Sequence, residues 1–268
     1  MRVENEADRT DRPESGKWAA SWAAAAQGPS PIGVSTSLPD LSLALSGDQA
    51  ENQTFRLVIR PDLWGAKGRL RFTNAFGDRP IVFDQVFVGL HAISGVVVPG
   101  TSCHACFGGQ SRVVVAPGVE VLSDPIDLTF VKDSEESALI GRKLAVSFHV
   151  PEATGPMTWH AKGMTTSYLS RRGSGAVSTD EDNVQFPFST TAWYFLDGFD
   201  VVAPAETIVI AALGDSITDG TFSTMNGDDR WTDRLSHRLH AAYGSRVSIA
   251  NVGIGGNQVI GPTKYSKE

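Results

Sequence analysis

The sequence predicts an all-β sandwich followed by the first part of an α/β domain, and three observations carry that prediction. Residues 53–170 hold many short runs in which apolar and polar residues alternate, with no convincing 3.6-residue period. At residue 207 the alternation stops. TIVIAAL is apolar throughout, as expected of a strand buried on both faces of a parallel sheet. Beyond it, DRWTDRLSHRLHAAYG spaces Trp231, Leu235, Leu239 and Tyr243 four residues apart, which predicts an amphipathic helix ending at Gly244.

Taken in order, residues 1–17 are charged and predict a disordered tail. KWAASWAAAAQGP follows, with Trp18 and Trp22 on either one helical turn or an extended anchor, closed by Gly28 and Pro29. The Ser-, Pro- and Gly-rich stretch beyond it reads as loop. Strands are expected in QTFRLVIRP, with Phe55, Leu57 and Ile59 on one face, and in GRLRFTNAF, with Leu70 and Phe72. IVFDQVFVGLHAI, SRVVVAPGVEVLSD, IDLTFV, RKLAVSFHVP and MTWHAKGMTTSYLS continue the pattern, each bounded by turn residues. Residues 171–192 read as a long loop, and the aromatics of TAWYFLDGFDVVAP can pack it down. Many short strands with turn signals suggest an antiparallel sandwich.

After the helix, RVSIANVGI is the next strand, and strand–helix–strand opens an α/β domain. The expected division is a tail at 1–17, a sandwich domain with its anchor and loops at 18–204, and the opening of the α/β domain at 205–268. One βαβ unit cannot close a core, because its helix needs a wider sheet and its strands need both faces covered. On the order of 100 further residues are therefore expected to complete it, from a missing continuation or a second polypeptide.

With 268 residues and 41% hydrophobic content, the chain can build a substantial core. Its 30 acidic against 23 basic residues give a net charge of -7, which argues against a nucleic-acid backbone as partner. No apolar run approaches the roughly 18 residues of a membrane helix, so no transmembrane anchor is expected. MRVENEADRTDRPESG has no apolar core and is not a signal peptide. Cys103 and Cys106, in CHAC with His104 between them, read as a local disulfide or a free loop pair. A metal site fits less well, because no second ligand pair has the required spacing.

Two short strings carry chemistry. In ALGDSITDG, Ser216 lies three residues beyond Leu213, at the carboxyl end of the expected strand, where open α/β sheets place ligands. Gly214 allows a tight departure, and Asp215 can take backbone hydrogen bonds; the same residues also make an ordinary solvated turn. In NVGIGGN, Gly253, Gly255 and Gly256 leave the backbone open to close approach, and Asn257 supplies a neutral donor. With the Ser216 amide this loop can offer N–H groups to an oxyanion, or it can be a plain glycine-rich turn. The G-x-S-x-G elbow of other esterases has no copy beside a suitable strand, and no G-K-S/T makes a phosphate loop. His160, in TWHAKG, is the sandwich histidine most suited to face the cleft, although an ordinary strand histidine fits as well. His237 and His240 are expected to be solvated or satisfied on the helix.

ALGDSITDG followed by NVGIGGN resembles the first two sequence blocks of the SGNH hydrolases, also called GDSL esterases and lipases. WAASWAAAAQ, LRFTNAFGDRPI, VEVLSDP and TAWYFLDGFDV further resemble bacterial members in which a jelly-roll-like sandwich precedes the hydrolase domain, so the likeness extends over nearly the whole chain after residue 17. The resemblance implies a flavodoxin-like α/β/α hydrolase domain and a serine ester hydrolase working through an acyl-enzyme. Ser216 is its nucleophile and gives one oxyanion amide, Gly256 gives another, and Gly214, Asp215, Asp219 and Asn257 support them. Asp215 and Asp219 hold the turn rather than carry protons. Asn257 stands where many members have Asp.

The family's third block, with its oxyanion Asn, and its fifth, with the acid and base, do not occur after Asn257. This chain alone is therefore expected to be nearly inert, with the remaining groups on a segment outside it. The implied substrate is an ester, including acylated carbohydrates and lipids; no metal or organic cofactor is implied, and members are commonly exported. An acyltransferase at the same site is one alternative. A non-catalytic carbohydrate-binding sandwich with an inactive hydrolase fragment is the other, with Trp64, Trp159 and Trp193 as its candidate aromatics.

Overall fold

A computed structural model of the chain describes residues 16–30, 41–47, 49–132 and 136–259. The expected tail lies outside the described residues up to 15, as does most of the loop expected after Pro29. Lys17 already belongs to the first strand.

Two antiparallel sheets build the body. The first contains β1 (Lys17–Ala23), β3 (Lys67–Thr73), β7 (Glu120–Leu122), β8 (Ile126–Asp127) and β14 (Leu196–Ala203). Their order is β1-β14-β3-β7, with β8 also on β3. The second contains β2 (Gln53–Ile59), β4 (Ile81–Leu90), β5 (Cys103–Ala105), β6 (Arg112–Val115), β9 (Leu144–Val150), β11 (Ser167–Leu169) and β12 (Phe188–Thr190). Their order is β12-β11-β2-β9-β4-β5, with β6 also on β4. β10 (Trp159–His160) pairs with β13 (Trp193–Tyr194) in a small ribbon. A single helical turn, α1 (Glu136–Leu139), is the only helix described within the sandwich region.

The inner faces of the two sheets meet on aromatic rings. Phe55 stacks on Phe148 at 5.3 Å, Phe72 meets Phe148 edge-on at 5.1 Å, and Phe83 lies 5.3 Å from Phe195. All five rings are buried. Burying one such side chain stabilises by roughly 1.5–3 kcal/mol. The strand readings hold in outline. Trp18 and Trp22 lie on an extended strand, with a bulge between Ala20 and Trp22, rather than on a helical turn. Residues 171–192 are loop except for β12.

The outer face of β2 is also closed, which alternation alone did not show. Arg56 is fully buried. It donates to Ser147 Oγ at 2.9 Å and to the carbonyls of Gly95 at 2.5 Å, Asp182 at 2.9 Å and Asp180. Its guanidinium lies 3.9 Å over the Phe186 ring. The long loop thus lies across the sheet with Arg56 as its anchor.

After a turn in which Thr207 N–H donates to Pro204 O, the chain enters β15 (Ile208–Gly214), α2 (Ser216–Asp219), α3 (Trp231–Tyr243) and β16 (Val247–Gly253). β15 and β16 pair in parallel, Ile208 opposite Val247 and Gly214 opposite Gly253. One expectation fails here. β15 is not covered on both faces: Ile208 is 60% and Leu213 76% exposed, and only Ala212 is buried. On α3 the fully buried residues are Thr232 and Ser236, while Leu235 and Leu239 are half-buried and Trp231 and Tyr243 exposed. The physical reason is that the pair meets the sandwich along β16, where Val247, Ile249 and Ala250 are buried, and is fixed there by polar groups. Asp62 accepts from Ile249 N–H at 2.7 Å and from Ser236 Oγ, and also lies 3.2 Å from His240 Nε2. Arg60 bonds Asp233 at 2.7 Å, and Ser248 donates to Ala20 O at 2.7 Å.

Burial pushes the Asp62 carboxyl up, but the hydrogen bonds from His240, Ser236 and Ile249 outweigh it and hold it below the usual carboxylate range. No described helix is long and apolar enough to cross a membrane.

Candidate functional site

Ser216 opens α2, a single turn that starts where β15 ends. Asp215 is its N-cap, with φ -95° and an extended ψ, and its carboxylate accepts from Ile217 N–H at 2.9 Å. Gly220 closes the turn at φ 99°, a left-handed position that suits glycine, and its N–H donates to Ser216 O at 3.1 Å. Gly214 has no room for a side chain, since a Cβ there would lie 2.2 Å from Thr218 Oγ1. The Ser216 side chain is half-buried. Among the described residues no histidine or carboxylate hydrogen-bonds its Oγ.

The second loop leaves the sheet at the same end, because the parallel register puts Gly253 beside Gly214. Ile254 N–H donates to Gly214 O at 3.0 Å, and Asn257 Nδ2 lies 3.5 Å from the same oxygen. Asn257 N–H closes the turn on Ile254 O at 3.1 Å, with Gly256 at φ 89° inside it. Gly253 sits against the other turn, where a Cβ would lie 2.3 Å from Asp219 N. Ser216, Gly214, Asp215, Asp219, Gly256 and Asn257 therefore gather around one strand end.

Asp219 is held differently from Asp215. Its carboxylate turns into the sandwich, where Oδ1 lies 2.9 Å from His160 Nε2, and both side chains are almost wholly buried. His160 Nδ1 lies 2.9 Å from Ala25 O, and its ring stacks on Trp193 at 5.5 Å. His160 is thus neither an open cleft residue nor an ordinary strand histidine; it reaches the Ser216 turn through Asp219.

Three residues that motif reading did not single out complete this contact. Arg230 donates to Asp219 O at 2.6 Å and to Gly163 O at 2.7 Å. Lys162 Nζ donates to Thr221 Oγ1 at 3.3 Å and lies 3.6 Å from where a Gly255 Cβ would sit. Asn226 N–H donates to Met164 O at 2.9 Å, and its amide side chain pairs with Thr166. The segment after Ser216 is therefore fastened along residues 160–166. Sequence spacing carries no signal for this, since the partners lie about sixty positions apart.

The other predicted groups lie away from this end. His237 pairs with Arg60 and His240 with Asp62. Cys103 and Cys106 are both free thiols, and Cys106 Sγ lies 3.5 Å from His104 Nδ1. Trp64, Trp159 and Trp193 are buried, so they form no exposed aromatic row. A cavity of about 520 Å³ lies between Trp64, Ile140 and the His240 end of α3, at the opposite end of the strands from Ser216.

A comparison with protein-family models gives no match, and none of the curated proteins compared with the chain matches it.

Proposed function

We propose that the chain carries the nucleophile half of a serine ester hydrolase of the SGNH, or GDSL, type, preceded by a jelly-roll-like sandwich. The observation that carries this reading is Ser216, at the first position of a one-turn helix beyond a parallel strand, with the Gly256 loop leaving the sheet beside it. Ser216 Oγ would attack an ester carbonyl. The serine proton would pass to the general base and then to the alcohol that leaves as the ester C–O bond breaks. The amides of Ser216 and Gly256 would bind the oxygen as it gains charge, and water would then release the acyl group from Ser216 as the free acid. If an alcohol replaced water, the same site would act as an acyltransferase.

The general base, its acid and a third oxyanion donor come, in this reading, from a segment that completes a flavodoxin-like α/β/α domain beyond residues 205–268. The exposed flank of β15 and the exposed Trp231 and Tyr243 of α3 are the surfaces that such a segment would cover.

Labelling with a fluorophosphonate at alkaline pH, where hydroxide replaces the missing base, tests the nucleophile. The chain should gain one adduct and the Ser216→Ala variant none. Equal labelling of the two would sink the assignment.

A further inference from the structure

We propose that His160, carried by the sandwich, is a positioning residue for the Ser216 turn, hydrogen-bonded through Nε2 to the Asp219 carboxyl group. The functional weight of that turn rests on the reading of Ser216 as nucleophile. The proton count comes from geometry. Ala25 O can only accept, so His160 Nδ1 at 2.9 Å must carry a proton. Nε2 faces a carboxylate oxygen at 2.9 Å, so a second proton lies between them.

Three neighbours hold the pair in place. Arg230 brings its guanidinium onto the Asp219 carbonyl. Lys162 Nζ and Asp219 Oδ2 each lie 3.6 Å from the same Gly255 Cβ position. The Trp193 ring stacks on the imidazole with centroids 5.5 Å apart.

The pair matters because of what Asp219 is attached to. Its N–H donates to Asp215 O at 2.9 Å, and the next two N–H groups, of Gly220 and Thr221, both donate to Ser216 O. Its amide also abuts Gly253, the last residue of β16, on the way to the Gly256 loop. Anchoring this carboxylate to β10 therefore fixes the orientation of α2 and its spacing from the second loop. The sandwich becomes a wall of the site rather than an appended module.

The test uses three measurements on one set of variants. In the ¹⁵N-histidine-labelled chain the His160 Nε2 resonance should move in Asp219→Asn; an unchanged resonance would overturn the His160–Asp219 contact. In His160→Ala, amide exchange at residues 219–221 should quicken on the order of tenfold, while β9 stays protected. His160→Gln, which keeps a donor toward Asp219, should recover most of that protection. An unchanged exchange rate in folded His160→Ala would overturn the positioning role. Fluorophosphonate labelling of Ser216 should slow about tenfold or more in His160→Ala and recover in His160→Gln. If Ser216 takes no label in the unmodified chain, the nucleophile reading fails, while the exchange and ring-nitrogen results still decide the role of His160.

Discussion

β2 and β15 are both seven-residue strands, and β15 is the more apolar, yet their surroundings are opposite. Every residue of β2 is buried, including Thr54 and Arg56. In β15 only Ala212 is. The sandwich supplies its own second layer, with aromatic rings on one side of β2 and the 171–186 loop on the other. The β15–β16 pair leans on the sandwich through β16, with Asp62, Arg60 and Ser248 fixing the contact, and leaves the apolar flank of β15 open. A strand's composition records which faces it is built to cover; its burial records what the neighbouring chain provides.

The contrast can be broken most severely in the sandwich. Phe148→Ala should cost about 3–5 kcal/mol in thermal or denaturant unfolding, because it empties the centre of the aromatic cluster. A loss under about 1 kcal/mol would mean that the two sheets are not closed on that ring.

Next comes the seam. Asp62→Ala leaves the Ile249 N–H, Ser236 and His240 without their acceptor, at about 2–3 kcal/mol. Hydrogen exchange should rise across α3 and β16 while β2 and β9 stay protected. Because the folded Asp62 sits below its ordinary 3.8, its contribution is present above that pH and lost as pH falls through the lower, folded value. The seam should therefore loosen in acid before the sandwich does.

Asp197 has the opposite sign. Burial pushes its carboxyl up to about 6 despite Arg71 at 2.8 Å, so the folded protein holds this proton more tightly than the unfolded chain. Its stabilising contribution is full below 3.8 and is lost as pH rises through about 6. Asp197→Asn should flatten that slope, on the order of 2 kcal/mol, in melts taken across the window.

The smallest effect belongs to β15. Leu213→Asn should change the stability of this chain by no more than about 0.5 kcal/mol, since the side chain is already 76% exposed. A larger loss would show that this flank is covered.

Much of the sandwich was legible because alternation reports an inner face directly: Phe55, Leu57 and Ile59 lie where the pattern puts them. The closure of the outer face was not, because it depends on Arg56 meeting carbonyls well over a hundred residues away. The helix Trp231–Tyr243 was found by its period, but the period could not say that Thr232 and Ser236 would be the buried side. For the site, strand–helix–strand order was enough to bring the Ser216 and Gly256 turns to one end. The tie from Asp219 to His160 is a contact between separate layers and leaves no spacing in the sequence.

The most direct test of the nucleophile is to trap the acyl group itself. The chain is incubated with an activated aryl acetate at alkaline pH, where hydroxide stands in for the general base, then quenched in acid and digested for peptide mapping. Acetyl is expected on Ser216 and none at that peptide in Ser216→Ala. Acetylation confined to other residues, with Ser216 unmodified, would contradict it.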